Sequence, residues 1–290
     1  MVSGTKIKLF APAKVNLFLE VINKRDDGYH NIITLMQTIA LYDKIELILT
    51  DSEIEFECDW SNISKEPVCK PYENLAYRIA VELKKVLREK KGAKINLKKY
   101  IPAGAGLGGG SSDCASVLKG LLKLWGRRMA TDQLEKIAVK FGSDIPFFLY
   151  GGCCLCENIG EKITEISPYW VNKQLSLILI YPGFSISTAT IYRNMNNIPR
   201  KYHKINISEC KNKNFFKQLG FNRLEKIVFK LYPELQKIKQ ELINSGAEKA
   251  LVSGSGSTVF GIFNEYGDAK NTLNRLRKKY DYIRLVKTII

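Results

Sequence analysis

From Pro102 to Asp113 the chain reads PAGAGLGGGSSD, and five of the seven residues from 104 to 110 are glycine. Glycine at 104, 106, 108, 109 and 110 removes the side chains that would keep a ligand away from backbone. Successive N–H groups in such a segment form an anion-binding concavity. Pro102, Ala103, Ala105 and Leu107 complete the loop, which runs into a stretch that reads as a helix from Ser111 to Trp125. The start of that helix adds N–H groups without intrahelical partners and a partial positive charge. Ser111 and Ser112 offer hydroxyls to phosphate oxygens or to a metal. The chemistry indicated is the binding of a phosphate chain. A flexible connector is the plain alternative, but so many glycines are conformationally costly without a use.

Two other phosphate motifs are excluded. Gly104-x-Gly106-x-x-Gly109 matches the dinucleotide fingerprint in letters. That fingerprint also needs an acid ending the next strand, about 20 residues on. Asp132 lies near that offset, but with Glu135 it reads as a capping box for a helix through Phe141. The loop also lacks the lysine of G-x-x-x-x-G-K-[ST]. Positive charge must therefore come from elsewhere. Lys14 stands in APAKVN at the start of an alternating strand, and Asp144 stands in GSDIP, flanked by apolar residues after a helix. Burying either group is expensive unless it is paired, and a surface position stays open for each.

The elements that must position these groups follow from periodicity. Val15, Leu17, Leu19 and Val21 alternate as in a half-buried strand, as do Ile45, Leu47 and Leu49, and then Ile54 and Phe56. Asn74 is a plausible cap for a helix with Leu75, Ile79, Leu83, Val86 and Leu87 on one face, ended by Gly92. Ile95 and Leu97 form a strand that leads by Ile101 into the glycine loop. Short strands follow Gly151 and Gly152, then a buried strand, LSLILIY, at 175–181. Helices are expected at 187–196, 222–230 and 232–244, a strand-turn-strand at 251–263, a helix at 267–279 and a last strand at 283–289. Helices on largely antiparallel sheets make this an α+β protein.

Bulk properties narrow the partners. The 290 residues are 45% hydrophobic and 26% charged, an ordinary globular mix. Forty-five Lys and Arg against 29 Asp and Glu give +16, but the basic residues are scattered, with no compact tract interleaved with aromatics. No nucleic-acid or membrane partner is expected, and a basic surface suits polyphosphate substrates. The N-terminus shows neither an apolar signal core nor an Arg- and Ser-rich leader, so a cytoplasmic protein is expected. Seven cysteines, among them Cys153, Cys154 and Cys156 in an apolar run, read as buried inert thiols and not as a disulfide framework or metal site.

Three segments together resemble the GHMP kinases: PAKVNL near the N-terminus, PAGAGLGGGSSD in the middle and LVSGSGSTVFGIF near the C-terminus. The DGYHNI and GSDIPFF segments, with the long loop GLGGGSS, are most similar to the branch that acts on a cytidine-diphosphate-linked methylerythritol. The resemblance implies a two-domain fold. A ribosomal protein S5 domain 2-like domain would span 1–165 with the ATP phosphate loop, and a ferredoxin-like domain 166–290. It implies ATP and Mg²⁺, and phosphorylation of the tertiary hydroxyl at C2 of the methylerythritol. By the same resemblance Asp144 would be the general base, with Lys14 beside it to stabilise alkoxide charge. Lys99 and residues Pro102 to Ser112 would bind ATP, and Ser111 or Ser112 could reach the metal. Tyr29 and His30 match a cytidine-recognition pair, Tyr192 a stacking aromatic with Thr188 one turn before it, and Asn16 a polar substrate contact. Gly254 to Thr258 would approach the substrate under the phosphate loop, or else form a plain turn. Asp113 and Cys114 depart from the usual residues after the serines. Another GHMP small-molecule kinase, or a non-catalytic nucleotide- or RNA-binding protein, remains the alternative, and oligomeric state is left open.

Overall fold

The computed structural model describes residues 5–64, 69–171, 173–195 and 202–289. By its contacts the chain divides into two compact units. The first takes Met1–Ala13, Leu41–Ala103 and Gly108–Tyr150, and the second takes Lys14–Ala40, Gly104–Leu107 and Gly151–Ile290. The family resemblance implies one cut between 165 and 166. The contact division is interleaved because two long strands, β1 (Lys6–Lys24) and β2 (His30–Thr50), each belong partly to both units.

In the first unit, β3 (Ile54–Asp59) pairs parallel with β4 (Gly92–Lys98), and β4 pairs antiparallel with Lys44–Thr50 of β2. Between β3 and β4 lies α1 (Leu75–Leu87), where Asn74 Oδ1 accepts the Ala76 N–H at 2.9 Å, as its sequence predicts. Gly92 does not end this helix. Arg88 adopts the left-handed conformation itself, at φ 50°, and Lys84 Nζ donates to the carbonyls of Glu89, Lys90 and Lys91. Gly92 instead opens β4, where a Cβ would collide with the Glu53 carbonyl.

The helix after the glycine loop, α2 (Gly109–Leu124), buries Ala115, Val117, Leu118 and Leu121, and Gly120 lets it lie against Leu9 and Leu47. Each fully buried leucine of this kind stabilises by about 1.5–3 kcal/mol. The expected capping box is absent: α3 (Thr131–Ala138) starts after Ala130, which places Asp132 inside the first turn, where its charge still suits the helix dipole. A short helix that periodicity did not reveal, α4 (Ile145–Tyr150), follows Asp144 and packs on α2 and α3.

In the second unit, β5 (Cys153–Asn158) pairs antiparallel with Ile32–Gln37 of β2, and β6 (Lys162–Ile166) extends β5. The expected buried strand is β7 (Ser176–Tyr181), followed by α5 (Thr188–Arg193) and the short α6 (Phe215–Gln218). Two residues, β8 (Phe221–Asn222), pair parallel with β1 at Phe18 and Leu19. Then come α7 (Glu225–Leu231), α8 (Pro233–Asn244), β9 (Lys249–Val252), β10 (Val259–Phe263), α9 (Tyr266–Leu276) and β11 (Tyr282–Lys287). An antiparallel sheet in the order β11-β7-β10-β9 packs against α8 and α9, with Ile178, Ile180, Leu235, Leu242, Val252 and Phe263 in the core.

The α+β reading therefore holds, with parallel pairs at β3–β4 and β1–β8. Burial raises the thiols of Cys153 and Cys154, the latter to about 12, as inert core cysteines require. Among the described residues no helix is long and apolar enough to cross a membrane.

Candidate active site

In the first unit the loop ends as an anion site should. Gly108 takes φ 70° as the residue before α2, and the helix begins at Gly109, two residues earlier than its sequence predicts. Ser112 N–H donates back to the Gly108 carbonyl at 2.9 Å, so the N–H groups of Gly109, Gly110 and Ser111 precede the first intrahelical donor. A Cβ on Gly110 would meet nothing within 4 Å, which leaves that face of the turn open. Ser112 Oγ is buried and has no hydrogen-bond partner among the described residues. Leaving such a hydroxyl unpaired costs about 1–3 kcal/mol, and a phosphate oxygen would recover it. The GSDIP segment runs past the same turn, since a Cβ on Gly142 would lie 3.9 Å from Ser111 Oγ. Asp144 is half-buried at the start of α4.

Lys99 turns inward. Its Nζ donates to the Asp43 carboxylate and, at 2.6 Å, to Asp113 Oδ2. Asp43 Oδ1 also accepts the backbone N–H groups of Tyr100 at 2.5 Å and Ile101 at 2.9 Å. All three side chains are almost wholly buried. Burial pushes the Asp113 carboxyl up to about 7; Lys99 opposes this and the like charge of Asp43 adds to it. Despite its own burial, Lys99 is held above the usual lysine value by the two carboxylates. Its ammonium is thus committed to the protein interior.

In the second unit, Lys14 is 3% exposed and donates to Asn16 Oδ1 at 2.8 Å. Asn16 Nδ2 donates to Thr34 Oγ1 at 2.8 Å, and that hydroxyl donates to the Phe18 carbonyl at 2.7 Å. The order is fixed by chemistry. With its proton on Phe18, Thr34 can only accept from Asn16, so the amide must turn its oxygen to Lys14. The Lys14 N–H also bonds the Leu107 carbonyl at 2.9 Å, which ties β1 to the glycine loop.

The third motif meets the loop as well. A Cβ on Gly106 would collide with the Ser253 carbonyl, Ser253 Oγ donates to the Gly106 carbonyl at 2.8 Å, and Thr258 N–H donates to the Ala105 carbonyl at 3.1 Å. A Cβ on Gly254, at φ 58°, would lie 3.2 Å from Asn16 Oδ1 and 3.5 Å from Lys14 Nζ. Asn222 Nδ2 holds the turn by donating to the carbonyls of Val252 and Gly254 at 2.9 and 2.8 Å. Thr258 Oγ1 is buried without a partner among the described residues. Gly104 completes the contact, its Cβ position lying 2.6 Å from Ser185 Cβ.

Also in this unit, His30 and Tyr192 pack ring on ring, with centroids 4.8 Å apart and planes 30° to each other. His30 is 7% exposed, and burial, with the Lys24 charge, lowers its pKa, so the ring is neutral near pH 7. Its Nε2 has no partner among the described residues. Thr188 opens α5 and shares a 2.8 Å hydrogen bond with Ser255 Oγ. Tyr29 is not gathered with them: it is 61% exposed, and its N–H donates to Asp27. Sequence reasoning missed Thr34, Asp43 and Asn222. The available signal was a small polar residue inside an apolar strand segment, as in IITLM and LYDKI.

Among the described residues, no group of three or more His, Cys, Asp or Glu could hold a metal ion. The donor set fits a phosphate chain: N–H groups ahead of the first intrahelical bond, a serine hydroxyl without a partner among the described residues, and glycines in close contact.

Residues 74–152 match the model of the GHMP kinases N terminal domain, and residues 208–281 that of the GHMP kinases C terminal. A 4-diphosphocytidyl-2-C-methyl-D-erythritol kinase of Thermodesulfovibrio yellowstonii is 41% identical over 287 residues, covering 96% of this chain and 96% of the relative. A crystal structure of 4-(cytidine 5'-diphospho)-2C-methyl-D-erythritol kinase superposes with a TM-score of 0.83 at 30% identity, over 98% of this chain and 100% of that one. Homoserine kinase from Cytophaga hutchinsonii shares the fold, with a TM-score of 0.74 at 19% identity over 100% of this chain and 96% of that one.

Proposed function

We infer from its place in a family (the chain belongs to the 4-diphosphocytidyl-2-C-methyl-D-erythritol kinases, a branch of the GHMP kinases) that this protein moves a phosphoryl group from ATP to the C2 hydroxyl of 4-diphosphocytidyl-2-C-methyl-D-erythritol. The products are the 2-phosphate and ADP, in the non-mevalonate route to isoprenoid precursors. The observation that supports the cytidine half is the buried Nε2 of His30, without a partner among the described residues and packed beside the Tyr192 ring. A flat base with polar edges supplies both an aromatic face and the missing hydrogen bond.

The N–H groups of the glycine loop and the hydroxyls of Ser111 and Ser112 hold the phosphate chain of ATP. Magnesium, when bound with the nucleotide, neutralises phosphate charge, and Ser111 or Ser112 is the side chain of this protein that would reach it. A tertiary alcohol is a poor nucleophile, and Asp144 takes its proton. Lys14 offsets the charge that develops on that oxygen, with Asn16 and Thr34 fixing where its ammonium sits. Tyr192 and His30 bind the base, with Tyr29 paired to His30 by the family resemblance alone, and Thr188 and Asn16 contact the acceptor.

Kinetics of two variants test these roles. Asp144→Asn is expected to lower kcat about 10²–10⁴-fold with little change in either KM. His30→Ala is expected to raise the KM for the cytidine-linked acceptor and leave that for ATP in place. Near-wild-type turnover in the first, or an unchanged acceptor KM in the second, removes that residue from its role.

A further inference from the structure

We propose that the buried Asp43–Lys99–Asp113 triad is the positioning device of the phosphate loop, locking the strand that enters it to the helix that leaves it. The proposal rests on the nucleotide-binding reading of that loop. Lys99 follows the last residue of β4, and Asp113 lies in the first turns of α2, 14 positions further on. Their 2.6 Å contact therefore closes the base of the glycine segment. Asp43, from β2, adds the second anchor by accepting from Tyr100 and Ile101, the N–H groups that lead from the sheet into the loop. The lysine also touches the helix start, because a Cβ on Gly109 would lie 3.3 Å from Lys99 Nζ and 2.9 Å from Ile101 Cγ2. Gly109, one of the loop glycines, is thus required by its packing against Ile101 and Lys99.

Stability does not explain the arrangement. Two carboxylates share one ammonium out of reach of water, and Asp113 Oδ1 has no partner among the described residues. An apolar trio of the same volume would serve a fold as well or better. What the charged trio does supply is one geometry, since a displacement of either end of the loop separates buried opposite charges. The open N–H groups of Gly109 to Ser111 are then aimed before any ligand arrives, which is where preorganisation contributes to binding.

The test compares variants of the full-length protein by steady-state kinetics, by equilibrium binding of a non-hydrolysable ATP analogue and by thermal unfolding. Asp113→Ala is expected to raise the KM for ATP and the analogue Kd about tenfold or more, with the acceptor KM moved less than about threefold. Asp113→Asn keeps an oxygen for Lys99 and leaves Lys99 paired one to one with Asp43, so it is expected to restore ATP KM to within about threefold of wild type. If Asp113→Ala does not fold, Lys99→Arg carries the test. It keeps the charge, but its larger head has no room against Gly109 and is expected to weaken ATP selectively in the same way. A folded Asp113→Ala or Lys99→Arg protein with unchanged ATP KM, or with both KM values moved together, overturns the clamp. Failure of the wild type to bind the analogue at all instead overturns the nucleotide reading beneath it.

Discussion

The two halves of strand β1 share one backbone conformation and one alternating pattern, yet they answer to different physics. In the half from Lys6 to Phe10 the polar face meets water: Lys6, Lys8 and Phe10 are exposed, and Lys6 pairs with Glu46 at 2.6 Å with both groups partly solvated. In the half from Ala13 to Val21 every residue is buried, including Lys14, Asn16 and Glu20. There a polar side chain persists only with a partner: Lys14 and Asn16 through Thr34, and Glu20 through Arg223 at 2.6 and 2.7 Å and the N–H of His203 at 2.8 Å. A charge on the exposed half reflects solubility, while a charge on the buried half reflects a task or a constraint.

Substitutions sharpen that contrast. Lys14→Met should have the largest effect, a fall in kcat of about 10³-fold, because the proposed role of Lys14 is a preorganised cation where charge develops. Next is Arg223→Leu, expected to cost about 3 kcal/mol of unfolding free energy, since it strands the Glu20 carboxylate inside. The sign of its pH dependence is fixed. Burial raises Glu20, but hydrogen bonds from Arg223, His203 and Val21 outweigh that and hold it below its ordinary 4.5. The stabilisation is therefore complete above the unfolded-state value and is lost as pH falls through the folded one. Denaturant titrations of wild type and Arg223→Leu should differ fully near neutrality and converge in acid.

Thr34→Val keeps the shape but removes the acceptor for Asn16 Nδ2. It is expected to cost about 1–2 kcal/mol of stability, and the freed amide should lower kcat by about tenfold. Lys6→Ala on the exposed half should change stability by less than about 0.5 kcal/mol and leave kinetics alone. A Lys6→Ala loss as large as that of Arg223→Leu would break the contrast.

What was legible in the sequence was local. The glycine loop, the Asn74 cap and the apolar strand at 176–181 each state their physics within a few residues. The buried half of β1 was misread as half-buried, because Lys14, Asn16 and Glu20 follow the same period as solvent-facing residues. The pairings of Thr34, Asp43 and Asn222 were invisible because the partners lie 18, 56 and 30 positions away. Gly92 looked like a helix stop for want of any local sign that Glu53 would pass so close. Lys99, read by resemblance as a residue of the ATP site, is placed by the fold between two carboxylates.

The most direct test of the whole account is ADP release with Mg·ATP and four acceptors in parallel: 4-diphosphocytidyl-2-C-methyl-D-erythritol, mevalonate, homoserine and galactose. Turnover confined to the cytidine-linked acceptor is the expected result. Turnover with one of the others in its place would contradict the acceptor, and ADP release with none of them would contradict the kinase.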